Sequence, residues 1–183
     1  ELNRKTKACD PSKFPGLNKH LNKQLNIALV GNPNSGKSSL FNSLTGLNQK
    51  VGNFPGVTVD KKTGTSKISE NLSAKIVDLP GMYSLYPKRG DEWVSYKVLI
   101  DEDPNTKIDI IVLVADASNL KRNLLFCSQI IDLKRPVVVA LTMMDIARNK
   151  NIQIDIAGLE RELGVLVIPV NPRQNKGIVQ LNK

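Results

Sequence analysis

Gly31-Asn32-Pro33-Asn34-Ser35-Gly36-Lys37-Ser38 follows the apolar run Ile27 to Val30 and leads into Ser39-Leu40-Phe41-Asn42-Ser43-Leu44. The pattern is GxxxxGK[ST] between a strand-type and a helix-type segment, the context in which it has a physical meaning. Glycines let the backbone curl so that successive N–H groups, through that of Ser39, and a helix N-terminus point at phosphate oxygens. Lys37 brings positive charge to the β- and γ-phosphates, and the Ser38 hydroxyl is a Mg2+ ligand. The stretch reads as the phosphate cradle of a nucleotide-binding α/β domain.

Two segments downstream complete the phosphate end. Asp78-Leu79-Pro80-Gly81 closes the strand-type run Ala74 to Val77. A carboxylate there lies beside Mg2+, and the glycine N–H can meet the γ-phosphate from a neighbouring strand. Between cradle and carboxylate, Gly52-Asn53-Phe54-Pro55-Gly56-Val57-Thr58 reads as a switch loop. Gly56 and Val57 run past the nucleotide, Thr58 ends the loop in a hydroxyl for Mg2+, and the γ-phosphate would order the whole segment.

The base end follows the same logic. Thr142-Met143-Met144-Asp145 comes after Pro136 to Leu141, where GTPases of this class carry Asn-Lys-x-Asp. Asp145 can accept two N–H bonds from guanine, a donor pair that adenine lacks. Thr142 offers one hydroxyl in place of an amide, which predicts a weakened or missing bond, while Met143 can still pack on the base. Asn171-Pro172-Arg173 occupies the place of a Ser-Ala-Lys loop. Pro172 has no N–H to give to guanine. Modest affinity and fast exchange are expected, with Arg173 stacking on the base as partial compensation.

The rest of the chain places these motifs. Its 183 residues and 40% apolar composition predict one core. Residues 1–23 mix lysine, asparagine and proline without apolar periodicity and read as a linker or tail; residues 24–183 form the domain, with the last helix, from Gly177, cut short. The runs Ile27 to Val30, Ala74 to Val77, Ile108 to Ala115, Pro136 to Leu141 and Val165 to Val170 suit a mostly parallel sheet of about six strands flanked by helices. Leu120, Leu124, Cys127 and Ile131 mark one helix, with Cys127 as inert core; Asp155 to Leu163 marks another, capped by Gly164. Trp93 reads as a packing anchor. The apolar runs are too short to cross a bilayer. With Cys9 and Cys127 as the two cysteines, neither a disulfide framework nor a zinc site is suggested. The net charge of +9, partly in the opening segment, would suit an anionic neighbour such as RNA or lipid headgroups.

The cradle, Val51-Gly52-Asn53-Phe54-Pro55-Gly56-Val57-Thr58-Val59 and Asp78-Leu79-Pro80-Gly81-Met82-Tyr83-Ser84-Leu85 closely resemble the GTPase domain of the ferrous iron transport protein B family. The resemblance spans residues 25 to 178. It implies a Ras-like G domain binding GTP and GDP with Mg2+, on the cytoplasmic face of the bacterial cell membrane. There it would serve as a nucleotide switch for an Fe2+ permease in the same polypeptide, sometimes after a preceding small domain. In potassium-activated relatives an Asn at the fourth cradle position helps hold K+, with switch carbonyls completing the site; Asn34 matches that position, and Gly52 and Phe54 match the carbonyl donors. Met82 stands where Ras-like enzymes have a water-orienting glutamine, so K+ would supply charge stabilisation together with Lys37, Thr58 and Gly81. No His/Cys/Glu cluster has ligand spacing, so direct iron binding is not expected. A ribosome-assembly GTPase is the alternative, disfavoured by the Pro55-Gly56-Val57-Thr58-Val59-Asp60 switch, and no nucleic acid is expected as partner. A P-loop nucleotide kinase fits Asp78 to Gly81 with Asp145 poorly.

Overall fold

The computed structural model describes residues 24–69, 71–101 and 107–181. The linker expected over 1–23 lies outside them. Among them seven strands form one sheet in the order β2-β3-β4-β1-β5-β6-β7. β1 (Leu25–Gly31) is central, between β4 (Ser73–Asp78) and β5 (Ile110–Asp116), and the parallel part continues through β6 (Val137–Thr142) to β7 (Leu166–Pro169). These are the continuous apolar runs of the sequence, and they are covered on both faces. One core gathers Ala28, Val77, Leu113, Phe126, Cys127 and Leu141; the other gathers Leu29, Leu40, Phe41, Ile76 and Val114.

The remaining two strands bring the expected mostly parallel sheet of about six to seven. β2 (Gln49–Asn53) and β3 (Asp60–Lys67) pair antiparallel with each other, and β3 pairs antiparallel with β4. All five residues of β2 are exposed, so an edge strand with no buried face leaves no hydrophobic alternation to read. Gly52 and Asn53, expected in a loop, belong to this strand.

Among the described residues five α-helices connect the strands, α1 (Lys37–Thr45), α2 (Gly90–Leu99), α3 (Leu120–Asp132), α4 (Met144–Asn149) and α5 (Ile156–Leu163), and α6 (Ile178–Leu181) follows β7. α3 buries Cys127 at 1% exposure as its periodicity predicts, and burial pushes the thiol pKa up to about 12. α5 starts at Asp155, which accepts from the Gly158 N–H, and ends on Gly164 in the left-handed conformation. Trp93 departs from expectation. It lies on the outer side of α2, 49% exposed, with its ring edge-on to Tyr96, because Val94, Val98 and Leu99 take the core-facing positions.

Candidate functional site

The cradle forms where β1 stops and α1 starts. Gly36 caps α1 with φ 87°, a conformation that costs a side-chain-bearing residue about 1 kcal/mol or more. The first turn of α1 holds no acidic residue, so the positive end of its dipole faces the loop uncompensated. Parallel pairing sets Asp78 of β4 level with Leu29 of β1, and its carboxylate accepts a charged hydrogen bond from Lys37 Nζ. Both side chains are largely withdrawn from water, at 12% and 7% exposure, so each neutralises the other. Phosphates arriving at the loop would offer Lys37 a second partner and free the carboxylate for a metal.

The segment after β4 is fastened to the cradle. Met82 N–H donates to the Gly31 carbonyl at 3.2 Å, and Gly81 lies so close to Pro33 that a Cβ would meet the Pro33 nitrogen at 3.1 Å. Met82 itself is 1% exposed in the core, so its side chain offers nothing to orient water.

From the base side, the Thr142 hydroxyl lies 2.7 Å from the Ser35 carbonyl and 3.1 Å from that of Ala115. The expected loss of a base contact is therefore joined by a structural role, since this hydroxyl ties β6 to the cradle. Met143, in the left-handed conformation at φ 56°, brings its methyl beside Gly36. Asp145 is exposed in the first turn of α4. Pro172 opens a 3-10 turn, Pro172–Gln174, with Arg173 exposed on it. That turn is fixed to α1, where the Ser43 hydroxyl donates to Asn175 Oδ1 at 2.9 Å.

Gly31 to Ser39, Asp78 to Gly81, Thr142 and Met143 are thus brought together. The first switch begins in the edge strand: Gly52 of β2 pairs with Lys61 of β3, and β2 lies three strand spacings from β1, about 14 Å. The Phe54 side chain is buried, and its carbonyl accepts from the Val57 N–H at 3.3 Å. Gly56, Val57 and Thr58 are exposed and line a groove with Gly90 and Asp91 at the start of α2. Asn34 is exposed on the cradle, with φ 64°.

The donor chemistry fits Mg2+: the Ser38 hydroxyl and Asp78 carboxylate are hard oxygen ligands, and phosphate oxygens would complete their set. For K+ the amide of Asn34 and the Gly52 and Phe54 carbonyls are chemically suitable oxygen donors.

Residues that the motifs did not reveal support the cradle from behind. Asn32 to Ser35 share a cavity of about 160 Å3 with Tyr83, Asp116, Asn119, Arg122 and Asn123. The Asn32 amide and Ser35 hydroxyl are buried and lack a partner among the described residues. The Arg122 guanidinium sits 4.1 Å from the centre of the Tyr83 ring, and Gln129 Oε1 accepts the Leu85 N–H at 2.9 Å. One face of α3 therefore grips the segment after Gly81 at two points. Arg122 and Gln129, seven apart, share a helical face, but their target is distant in sequence and no local pattern announces it.

A family model described as ferrous iron transport protein B matches residues 25–183. The Fe(2+) transporter FeoB of Leptospira biflexa is 48% identical over 159 residues, covering 87% of this chain and 22% of that protein. The chain thus spans little more than a fifth of that relative's length. Among solved structures, the cytosolic domain of L. pneumophila FeoB is 48% identical with a TM-score of 0.80, covering 85% of this chain and 60% of that one. An S. thermophilus NFeoB variant bound to GDP is 42% identical with a TM-score of 0.78, covering 86% of this chain and 59% of that one. These matches replace the ribosome-assembly and kinase alternatives.

Proposed function

Because the chain belongs to the ferrous iron transport protein B family, as its G domain, we propose that it binds GTP and GDP, hydrolyses GTP slowly, and switches shape between the two states. Its working place is the cytoplasmic face of the bacterial cell membrane, and its partner is an Fe2+ permease in the same polypeptide. The observation that carries this reading is the convergence of Lys37, Ser38, Asp78 and Gly81 on one loop between β1 and α1.

Hydrolysis joins a water oxygen to the γ-phosphorus and breaks its bond to the β-phosphate bridging oxygen. Backbone N–H groups from Asn34 to Ser39 and the Lys37 ammonium hold the phosphates, and the Gly81 N–H meets the γ-phosphate. Ser38 and Asp78, joined by Thr58 once the first switch closes, would hold Mg2+, which neutralises charge on the β- and γ-oxygens. Asn34, Gly52 and Phe54 would hold K+, whose charge would stand in for an arginine finger. Asp145 selects guanine, Met143 packs on it, and the loop Asn171-Pro172-Arg173 closes over it without the N–H that proline lacks. Release of the γ-phosphate lets the first switch return to β2, which is the conformational output.

GTP turnover in Mg2+ with KCl or NaCl at equal ionic strength, repeated with Asn34→Ala, tests the reading. Stimulation by K+ that disappears in the variant is expected. Equal rates in the two salts would remove K+ from the mechanism, and absence of turnover in both would remove hydrolysis.

A further inference from the structure

The alternation of β3 assigns each lysine near the sheet edge to a face. Gly64 faces α1, because a Cβ added there would run into the Thr45 side chain of that helix. Its neighbours Thr63 and Thr65, and by the same alternation Lys61 and Lys67, therefore face the opposite side. Cross-strand partners share a face, so Lys50 joins them opposite Thr63, Lys75 opposite Thr65 and Ser73 opposite Lys67. The result is a sheet face covered at Val77, opposite Thr63, and exposed at Lys50, Thr65, Lys67 and Lys75, with Lys61, Thr63 and Ser73 half-buried among them.

Lys50, Lys67 and Lys75 are exposed and have no ion-pair partner among the described residues. Lys61 lies over the Phe54 ring. Asp109, across β1 from Lys75, is engaged with the Asn26 N–H, which it accepts at 2.8 Å. Asp60 belongs to the other face, with Lys62 and Gly64. Lysine on an edge strand is a common guard against aggregation, and that accounts for Lys50. It does not account for Lys67 and Lys75, which belong to β3 and β4 inside the sheet.

We propose that this lysine face is a docking surface for anionic lipid headgroups. The inference rests on the proposed function, in which the chain works beside a membrane. Among the described residues no helix is long and apolar enough to cross one. A tethered G domain would therefore meet the bilayer through its surface, and this face is complementary in charge to the anionic cytoplasmic leaflet. It is also the face next to β2, so withdrawal of the first switch from β2 would alter the lysine array, linking lipid contact to nucleotide state.

The test is co-sedimentation of the full chain with phosphatidylcholine vesicles, with and without phosphatidylglycerol. Each lysine near an anionic surface contributes about fivefold to partitioning, so Lys50→Gln, Lys67→Gln and Lys75→Gln together should weaken binding by on the order of 100-fold. A control triple, Lys5→Gln, Lys7→Gln and Lys13→Gln, should weaken it less. Fluorescent GDP binding measured on the same samples reports folding and the nucleotide site separately, and it should be unchanged in the sheet triple. Equal loss in both triples, loss only in the control, or no preference for phosphatidylglycerol would each overturn the proposal. Weak vesicle binding beside tight binding to a homopolymeric RNA would overturn it in favour of a nucleic-acid surface.

Discussion

Thr142 carries a hydroxyl whose two neighbours are both backbone carbonyls, and it is 2% exposed. Replacing it with valine keeps the shape and deletes the donor, leaving the Ser35 carbonyl without that bond. Thr142→Val should cost about 1–2 kcal/mol in urea unfolding and weaken fluorescent GDP binding, because the cradle loses its tie to β6. Unchanged affinity would mean that the tie does not shape the cradle. Cys127 offers a different check. With its pKa at about 12 against an ordinary 9.0, the thiol remains protonated at pH 8 in the fold. In a Cys9→Ser background a thiol-disulfide reagent should react slowly with the native chain and promptly after unfolding. The motif residues Lys37, Ser38 and Asp78 were legible in sequence because their spacing is local to a strand end or a helix start. The second role of Thr142 was not, since its partner Ser35 is 107 positions away.

Among the elements, α2 shows how a helix beside the first switch is held. Glu92 sits at its third position and accepts the N–H groups of Lys88 at 2.7 Å and Arg89 at 3.3 Å. The Lys88 bond is the main cause that lowers the Glu92 pKa, outweighing the raising effect of burial, with Arg89 adding its N–H and its charge. A depressed carboxylate pKa means that the folded state favours the ionised form. The stabilisation is complete above the ordinary value of 4.5 and is lost as pH falls through the lowered one. Glu92→Ala should therefore destabilise the chain by about 1 kcal/mol near neutral pH. The difference from the parent should shrink in acid, as read by thermal melts across pH. A difference that persists in acid would assign the effect to packing. β2 and β3 are the elements that sequence reading missed. Lys50, Gly52 and Asn53 form a strand through pairing with Thr63, Lys61 and Asp60, not through any apolar face of their own.

Across the molecule, α2 meets the first switch at Gly90 and Asp91, which line one groove with Gly56, Val57 and Thr58. Trp93 is on that helix, half exposed and edge-on to Tyr96. A non-hydrolysable GTP analogue should move the switch off its groove and change the emission of Trp93, whereas GDP should leave it close to that of the free chain. Identical spectra in the two states would place α2 outside the switching motion. The parallel core strands and the placing of Asp78 and Gly81 beside the Gly31 to Ser38 loop could be read from the chain alone, because hydrophobic runs and glycine-rich loops are written in short, contiguous patterns. Folding had to supply the antiparallel hairpin at the sheet edge, the exposed setting of Trp93, the grip of Arg122 and Gln129 on the segment after Gly81, and the shared face of Lys50, Lys67 and Lys75. Each depends on which residues strand pairing and helix packing bring together across long separations, and no local pattern in the chain encodes those partners.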